Sequence, residues 1–176
     1  AAAIWGSLRI FKNYPKRLPS SREQIGGSTR EIARMNSNHR YIHQEWHRAA
    51  TTRDTPALIA LYAEDAILES PLVPVIMDDK KDGVLRGKAE ISRFLEAGVR
   101  RRPIDLVRWH RSDTYFSVGS TLIWEYPRMT PEGDQVEIVE VMEISDRWIR
   151  YHPIYWGWKG CRLIAPKLAA GAIGST

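Results

Sequence analysis

The sequence has little cysteine and no long apolar run, and each shortage excludes a class of protein. Its 176 residues include one cysteine, Cys161, so no disulfide forms within the chain. The lack of disulfides is typical of a reducing compartment, and we expect a cytoplasmic location. No apolar run approaches the roughly 18 residues that a membrane-spanning helix needs, so we expect no membrane partner.

Most of the chain also lacks a surplus of either charge sign. Residues 1–34 hold seven Lys and Arg against two acidic residues, which accounts for the whole net charge of +5. The remaining residues hold 19 basic and 19 acidic side chains. Because this balanced part has no net basic charge to attract a phosphate backbone, we expect no nucleic-acid partner. We interpret residues 1–34 as an N-terminal extension, either solvated or a targeting peptide.

Hydrophobic periodicity predicts helices in the first hundred residues. The pattern predicts them at residues 36–50, at 55 to about 64, and at 88–100. A strand is expected at 66–72, followed by a polar loop at 73–86. Most of the helical signal therefore precedes the strand-rich half of the chain.

Alternating and β-branched residues predict strands from residue 104 onward. They lie at 106–111, 114–118, 121–126, 136–144 and 148–158. Helices followed by a run of antiparallel strands predict the α+β class. After Gly160 the chain is rich in Pro, Ala, Gly and Ser, which predicts a flexible C-terminal tail at 161–176.

Several ordered motifs carry a family resemblance. A helix ends in Leu61-Tyr62-Ala63, a strand follows with a Pro at position 71, and Gly87 opens a helix that contains Phe94. With the final strand pair, these motifs resemble the nuclear-transport-factor-two-like superfamily, which holds ketosteroid isomerases, limonene epoxide hydrolases and SnoaL-type polyketide cyclases. The resemblance covers about residues 38–160.

The resemblance implies a fold and an assembly. We expect residues 35–160 to form a cone-shaped barrel, in which three N-terminal helices are wrapped by a strongly curved mixed or antiparallel sheet around an apolar pocket. Many relatives dimerise through the outer face of the sheet. The outward set predicted here is apolar enough to suit a homodimer. Its members are Val139, Val141, Ile149, Tyr151 and Tyr155.

The catalytic positions of the family carry over only in part. Ser70 stands where ketosteroid isomerases have their Asp base, Trp46 where they have a Tyr, and Glu140 where they have a protonated Asp. Ile154 replaces the last-strand Asp of the epoxide hydrolases, whereas His152 matches the His of SnoaL-type cyclases. These replacements argue against steroid isomerisation and epoxide hydrolysis, because a Ser needs another base to activate it.

Glu140 and His152 are the candidate catalytic residues. Strand 136–144 places Glu140 among apolar residues of one face, and burial of a carboxyl raises its pKa. If residues 145–147 form a three-residue loop, Glu140 lies directly opposite His152 on the next strand. The pair would then share a proton and act as one acid–base couple. The alternative for each is a structural core residue.

Aromatic and apolar residues of the predicted inner surfaces are candidates for a ligand pocket, or simply for the core. They are Trp46, Tyr62, Ser70, Leu72, Tyr115, Trp124, Tyr126, Met142, Ile154 and Trp156. Two functions follow. One is isomerase-, cyclase- or hydrolase-like acid–base chemistry on an apolar carbonyl compound. The other is binding of an apolar small molecule without catalysis.

Three histidines recur every four residues on the first helix. His39, His43 and His47 have the spacing of a metal-binding stripe, yet no cysteine or well-placed carboxylate accompanies them. They lie beside the apolar face, which favours a solvated helix flank. We therefore expect neither a metal nor a cofactor.

Overall fold

The computed structural model describes residues 29–101, 114–129 and 135–173. Over these residues the chain forms five helices and six strands, and the last four strands are consecutive. The helices are α1 (Thr29–Thr52), α2 (Thr55–Ala60), α3 (Val73–Ile76), α4 (Lys88–Arg101) and α5 (Trp158–Ile173). The strands are β1 (Tyr62–Glu69), β2 (Val84–Arg86), β3 (Phe116–Val118), β4 (Thr121–Met129), β5 (Gln135–Ser145) and β6 (Trp148–Trp156). The strand predicted at 106–111 lies outside the described residues.

The strands form one six-stranded mixed sheet. Its order is β2-β1-β6-β5-β4-β3, and β1 pairs with β6 in parallel while the other neighbours are antiparallel. The α+β class and the mixed sheet are confirmed. The cone shape that the resemblance implies stays a prediction.

Helix α2 ends and β1 begins earlier than the sequence pattern predicts. The Asp54 carboxylate accepts a hydrogen bond from the Ala57 backbone N–H, which starts α2. At the other end, the Ile149 N–H donates to the Leu61 carbonyl at 2.9 Å. This bond from β6 draws the chain into the sheet at once, so Tyr62 is a strand residue rather than a helical one.

The polar loop predicted at 73–86 is wrong in part. It contains the short helix α3 and the strand β2, which pairs with β1 so that Leu85 lies opposite Leu68. Val73 and Leu85 are fully buried. Helix α3 has four residues and β2 has three, and elements this short are not recognised by periodicity.

The β5–β6 hairpin differs from prediction in both its turn and its register. The turn has two central residues, Asp146 and Arg147, both with positive φ, and Ser145 pairs with Trp148. This turn alone would place Glu140 and His152 on opposite faces of the sheet. An extra residue at Arg150 forms a β-bulge, because Glu143 and Ile144 pair across to residues 151 and 149. The bulge returns both side chains to one face.

The inner face of the sheet is the core. The alternate β5 residues predicted to point inward are all buried: Val136, Ile138, Glu140, Met142 and Ile144. Ile149, predicted to face outward for a dimer, is fully buried instead. Beyond the bulge at Arg150, the odd-numbered residues of β6 point to the outer face. Ile149 precedes the bulge, so it points to the inner face instead.

The C-terminal tail predicted from residue 161 is wrong for residues 161–173, which belong to α5. A Cβ added at Gly160 would lie 2.6 Å from Trp156 Cε3 and 2.8 Å from Val136 Cγ1. The absence of a side chain there lets α5 pack closely on the sheet. Within the described ranges, no helix combines the length and hydropathy required to cross a bilayer.

Candidate active site

A cavity of about 330 Å³ lies between the inner face of the sheet and helices α1 to α5. This volume suits a small organic ligand. Eight residues proposed from sequence line it. Glu140 and His152 are two of them, and the others are Trp46, Tyr62, Ser70, Leu72, Ile154 and Trp156.

A chain of hydrogen bonds crosses the buried base of this cavity. His152 Nε2 lies 2.5 Å from Glu140 Oε2, and His152 Nδ1 lies 2.6 Å from the Tyr62 hydroxyl oxygen. Each of the three side chains is 1% exposed. The two ring nitrogens of His152 therefore join a carboxyl on one side to a phenol on the other.

The register explains how Glu140 reaches His152. Glu140 lies directly opposite Ile154, not opposite His152, so the predicted direct pairing is wrong. The two side chains are diagonal neighbours on the inner face. Diagonal neighbours lie roughly 7–8 Å apart at the backbone, which long side chains can span.

Tyr62 sets the donor-to-acceptor direction of these hydrogen bonds. Burial raises the pKa of Tyr62 well above its ordinary value, the nearby Glu140 raises it further, and a hydrogen bond from the Trp46 side chain lowers it by less. The phenol is therefore protonated at neutral pH. Because its oxygen accepts from Trp46, its own proton goes to His152 Nδ1, and Nε2–H of His152 then donates to Glu140.

Two further lining residues bear on what the cavity holds. The Ser70 hydroxyl accepts a hydrogen bond from the Leu72 backbone N–H at 3.2 Å, and no base activates it among the described residues. Trp156 Nε1 is buried and has no hydrogen-bond partner within the described part of the chain. A buried N–H without an acceptor is costly to the fold, and the Trp156 side chain forms part of the cavity wall.

Comparisons with solved structures identify the fold. A SnoaL-like protein of unknown function from Burkholderia thailandensis aligns with a TM-score of 0.55 at 20% identity, over 69% of this chain and 95% of its own. A nuclear-transport-factor-two-like protein of unknown function from Burkholderia pseudomallei gives 0.58 at 18% identity, over 72% and 97%.

The chain has the nuclear-transport-factor-two-like fold. A protein from Kribbella flavida, named provisionally as a ketosteroid isomerase, aligns with a TM-score of 0.52 at 17% identity, over 69% of this chain and 78% of its own. No protein-family model matches the sequence, and no curated protein matches it. The similarity therefore establishes the fold and leaves the reaction to be argued from the pocket.

Some pocket residues of this nuclear-transport-factor-two-like domain were not identified from sequence. Helix α4 contributes Phe94 and Gly98, and the charged rim includes Arg101 and Lys167. The apolar face of α4 was visible in the sequence, but periodicity does not distinguish a wall of a cavity from a filled core. Nothing in the sequence pattern pointed to Lys167, because residues 161–176 were predicted as a flexible tail.

Other predicted pocket residues lie elsewhere. Trp124 is fully buried and packs against the ring of Trp46, with centroids 5.3 Å apart, rather than lining the cavity. Met142 is a core residue, and the Tyr115 ring packs on His43 at 4.7 Å. The side chain of Tyr126 lies outside the described residues.

The histidine stripe on α1 is buried, so the predicted solvated flank is wrong. His39, His43 and His47 all lie in the interior, and His39 Nδ1 is 2.5 Å from the Ser117 hydroxyl oxygen. Strands β3 and β4 cover this helix face, which a reading of one helix alone does not reveal. No group of three potential metal ligands occurs among the described residues.

Proposed function

We propose that the pocket binds an apolar carbonyl compound and that Glu140 moves a proton on it. The observation that carries this proposal is the Glu140–His152–Tyr62 chain, which places a titratable couple at the base of an apolar cavity. A buried carboxylate that accepts a hydrogen bond from an imidazole at the base of an apolar cavity can act as the base toward a carbon acid.

The proposed step is an isomerase- or cyclase-like proton transfer. A Glu140 carboxylate oxygen takes a proton from the carbon next to the carbonyl, and the C–H electron pair becomes the double bond of an enolate. The same carboxyl returns the proton to this carbon or to a conjugated one, so no oxidant is required. His152 stabilises the carboxylate through its hydrogen bond to Glu140, and Tyr62 holds His152 in place from the other ring nitrogen.

Glu140→Gln tests this role, because the amide keeps the shape of the carboxyl but is not a base. The experiment follows exchange of α-hydrogens for deuterium by mass spectrometry, using a panel of cyclic ketones incubated with the protein in heavy water. We expect the wild-type protein to accelerate exchange of at least one ketone. The variant should lose about a hundredfold or more of that rate.

Glu143→Gln is the matched control, since Glu143 is on the same strand but bonds Ser120 and Thr121 away from the pocket. It should exchange like the wild-type protein. Equal exchange rates for Glu140→Gln and wild type, with ketone binding retained in both, would show that Glu140 is not the base.

A specific observation favours a second function, which is binding without catalysis. His152 has partners at both ring nitrogens, and each of the three hydrogen-bonded side chains is 1% exposed. Such a hydrogen-bonded network can satisfy the buried polar groups of the fold without taking part in any reaction. Native mass spectrometry that finds a bound apolar molecule, with no exchange or turnover of it, would favour this binding domain.

Association with a second copy stays a proposal. The outer face of the sheet exposes Tyr155, which is 56% accessible, together with Ile67. Val139 and Val141 are half-buried on the same face. This apolar surface supports a homodimer through the outer face, although Ile149 is no part of it.

A further inference from the structure

We propose that the pocket ligand carries an anionic group, which is held at the mouth of the cavity by Arg101 and Lys167. The ligand class is an apolar carboxylic acid whose reacting carbon is separated from the carboxylate by an apolar segment. This inference rests on the proposed function, because it concerns the substrate of the same pocket.

The pocket is polarised along its length. Among the described residues that line it, the ionisable side chains at the exposed end are Arg101 and Lys167, and both are cations. At the buried end the acidic residue is Glu140. An anionic group is attracted to the mouth and repelled from the base, so a ligand with one charged end enters with a defined orientation.

Arg101 is fixed in place at the rim. Its Nη1 donates to the Ile76 carbonyl at 2.8 Å, which ties the end of α4 to the end of α3. A guanidinium has five N–H donors, so this bond leaves others to point at a carboxylate. The planar fork of Arg suits two-point recognition of a carboxylate.

Lys167 lies on α5, near the C-terminal end of the described residues, and lines the same cavity. The close approach of Gly160 to Trp156 and Val136 seats this helix against the sheet. The helix thus brings a second cation to the cavity, in addition to Arg101 on α4. The two cations come from α4 and α5, separate elements that share only the cavity.

The apolar wall between the mouth and the base defines the rest of the ligand. Phe94, Leu95 and Val99 come from α4, and Ile138 comes from β5. These side chains offer no hydrogen-bonding group to a polar ligand body. The carboxylate must therefore be attached to a hydrocarbon segment, with the second functional group at the Glu140 end.

Two matched pairs of probes test the anion site. Anilinonaphthalene sulfonate and its uncharged parent phenylnaphthylamine both fluoresce on entering an apolar site, and naphthoate and methyl naphthoate compete with them. In wild-type protein we expect naphthoate to displace either fluorescent probe more strongly than methyl naphthoate does. Arg101→Gln should reduce this preference about five- to tenfold, and Lys167→Gln about two- to fivefold, since both groups are exposed. Higher salt should reduce the preference in wild type.

Arg100→Gln and Arg162→Gln are the matched controls. Arg100 is next to Arg101 but lies 3.9 Å from Glu96, and neither control residue lines the cavity. Both should keep the wild-type preference. An acid-to-ester ratio unchanged in Arg101→Gln and in Lys167→Gln overturns the anion site while leaving the pocket proposal intact. Failure of every probe to bind the wild-type protein contradicts the pocket proposal and this inference together.

Discussion

Two buried polar clusters each contact Trp46, and they differ in what they can do. The Glu140–His152–Tyr62 chain joins a carboxyl, an imidazole and a phenol at the base of a cavity. Of the α1 histidines, His43 and His47 pack against aromatic rings and His39 bonds Ser117, and none of the three lines that cavity. Both clusters hold titratable groups in the interior, but only the first combines a charge partner with space for a ligand.

The comparison shows that burial alone does not identify a site. His39 is as deeply buried as His152, at 1% exposure each. The partner of His39 is the half-buried hydroxyl of Ser117, which can also bond to water. Glu140 and Tyr62, the partners of His152, are each 1% exposed, so replacing either one removes a deeply buried hydrogen bond. The two clusters should therefore respond differently to the same substitution.

The largest expected difference is in stability. Glu140→Leu leaves His152 Nε2 buried without an acceptor, and we expect it to lower the free energy of unfolding by about 3–5 kcal/mol. His39→Leu leaves only Ser117, which can reach solvent, and should cost about 1 kcal/mol. Urea unfolding of the two variants measures both values. A larger loss for His39→Leu would invert the comparison.

A smaller effect is the coupling between neighbours. Glu140→Leu and His152→Leu together should cost less than the sum of the single changes, because each single change strands a polar partner. We expect a coupling energy of about 1–3 kcal/mol from the double-mutant cycle. His39→Leu combined with His152→Leu should add within about 0.5 kcal/mol, as separate sites do. Additivity at Glu140 and His152 would show that their hydrogen bond is energetically unimportant.

The parts of the fold and of the site that could be predicted from the sequence are those marked by a pattern within a single element. The inner face of β5 was predicted correctly because alternation on one strand carries it, and it led to Glu140. The pairing with His152 was not predictable in detail. It depends on the two-residue turn at Asp146 and Arg147 and on the compensating bulge at Arg150, and these two deviations cancel only in the folded hairpin.

The wrong predictions involve surfaces that another element covers. The α1 histidines look like a solvated flank when α1 is considered alone, and they become core because β3 and β4 lie over them. Helix α5 has a composition of small residues and one Pro at 166, which predicts a tail. Its helical state depends on packing through Gly160, and the cation at Lys167 follows from that packing.

The smallest expected effect separates the clusters by pH. Burial lowers the pKa of His39 below its ordinary value of 6.5, while the charge of Glu143 raises it by less. The groups that face it are Ser117 on β3 and Glu143 on β5. The unfolded chain thus binds a proton at a higher pH than the folded chain does. His39 contributes stability that is complete above about pH 6.5 and declines as the pH falls toward its lowered pKa.

For a single group this slope is at most about 1.4 kcal/mol per pH unit. Melting temperatures measured between pH 7.5 and 5.5 should fall in the wild-type protein and fall less in His39→Gln, on the order of a few degrees less. Ser117→Ala removes the hydroxyl but keeps the imidazole, so it should retain the wild-type pH dependence. If His39→Gln has the same pH dependence as the wild-type protein, the acid sensitivity arises elsewhere and not from His39.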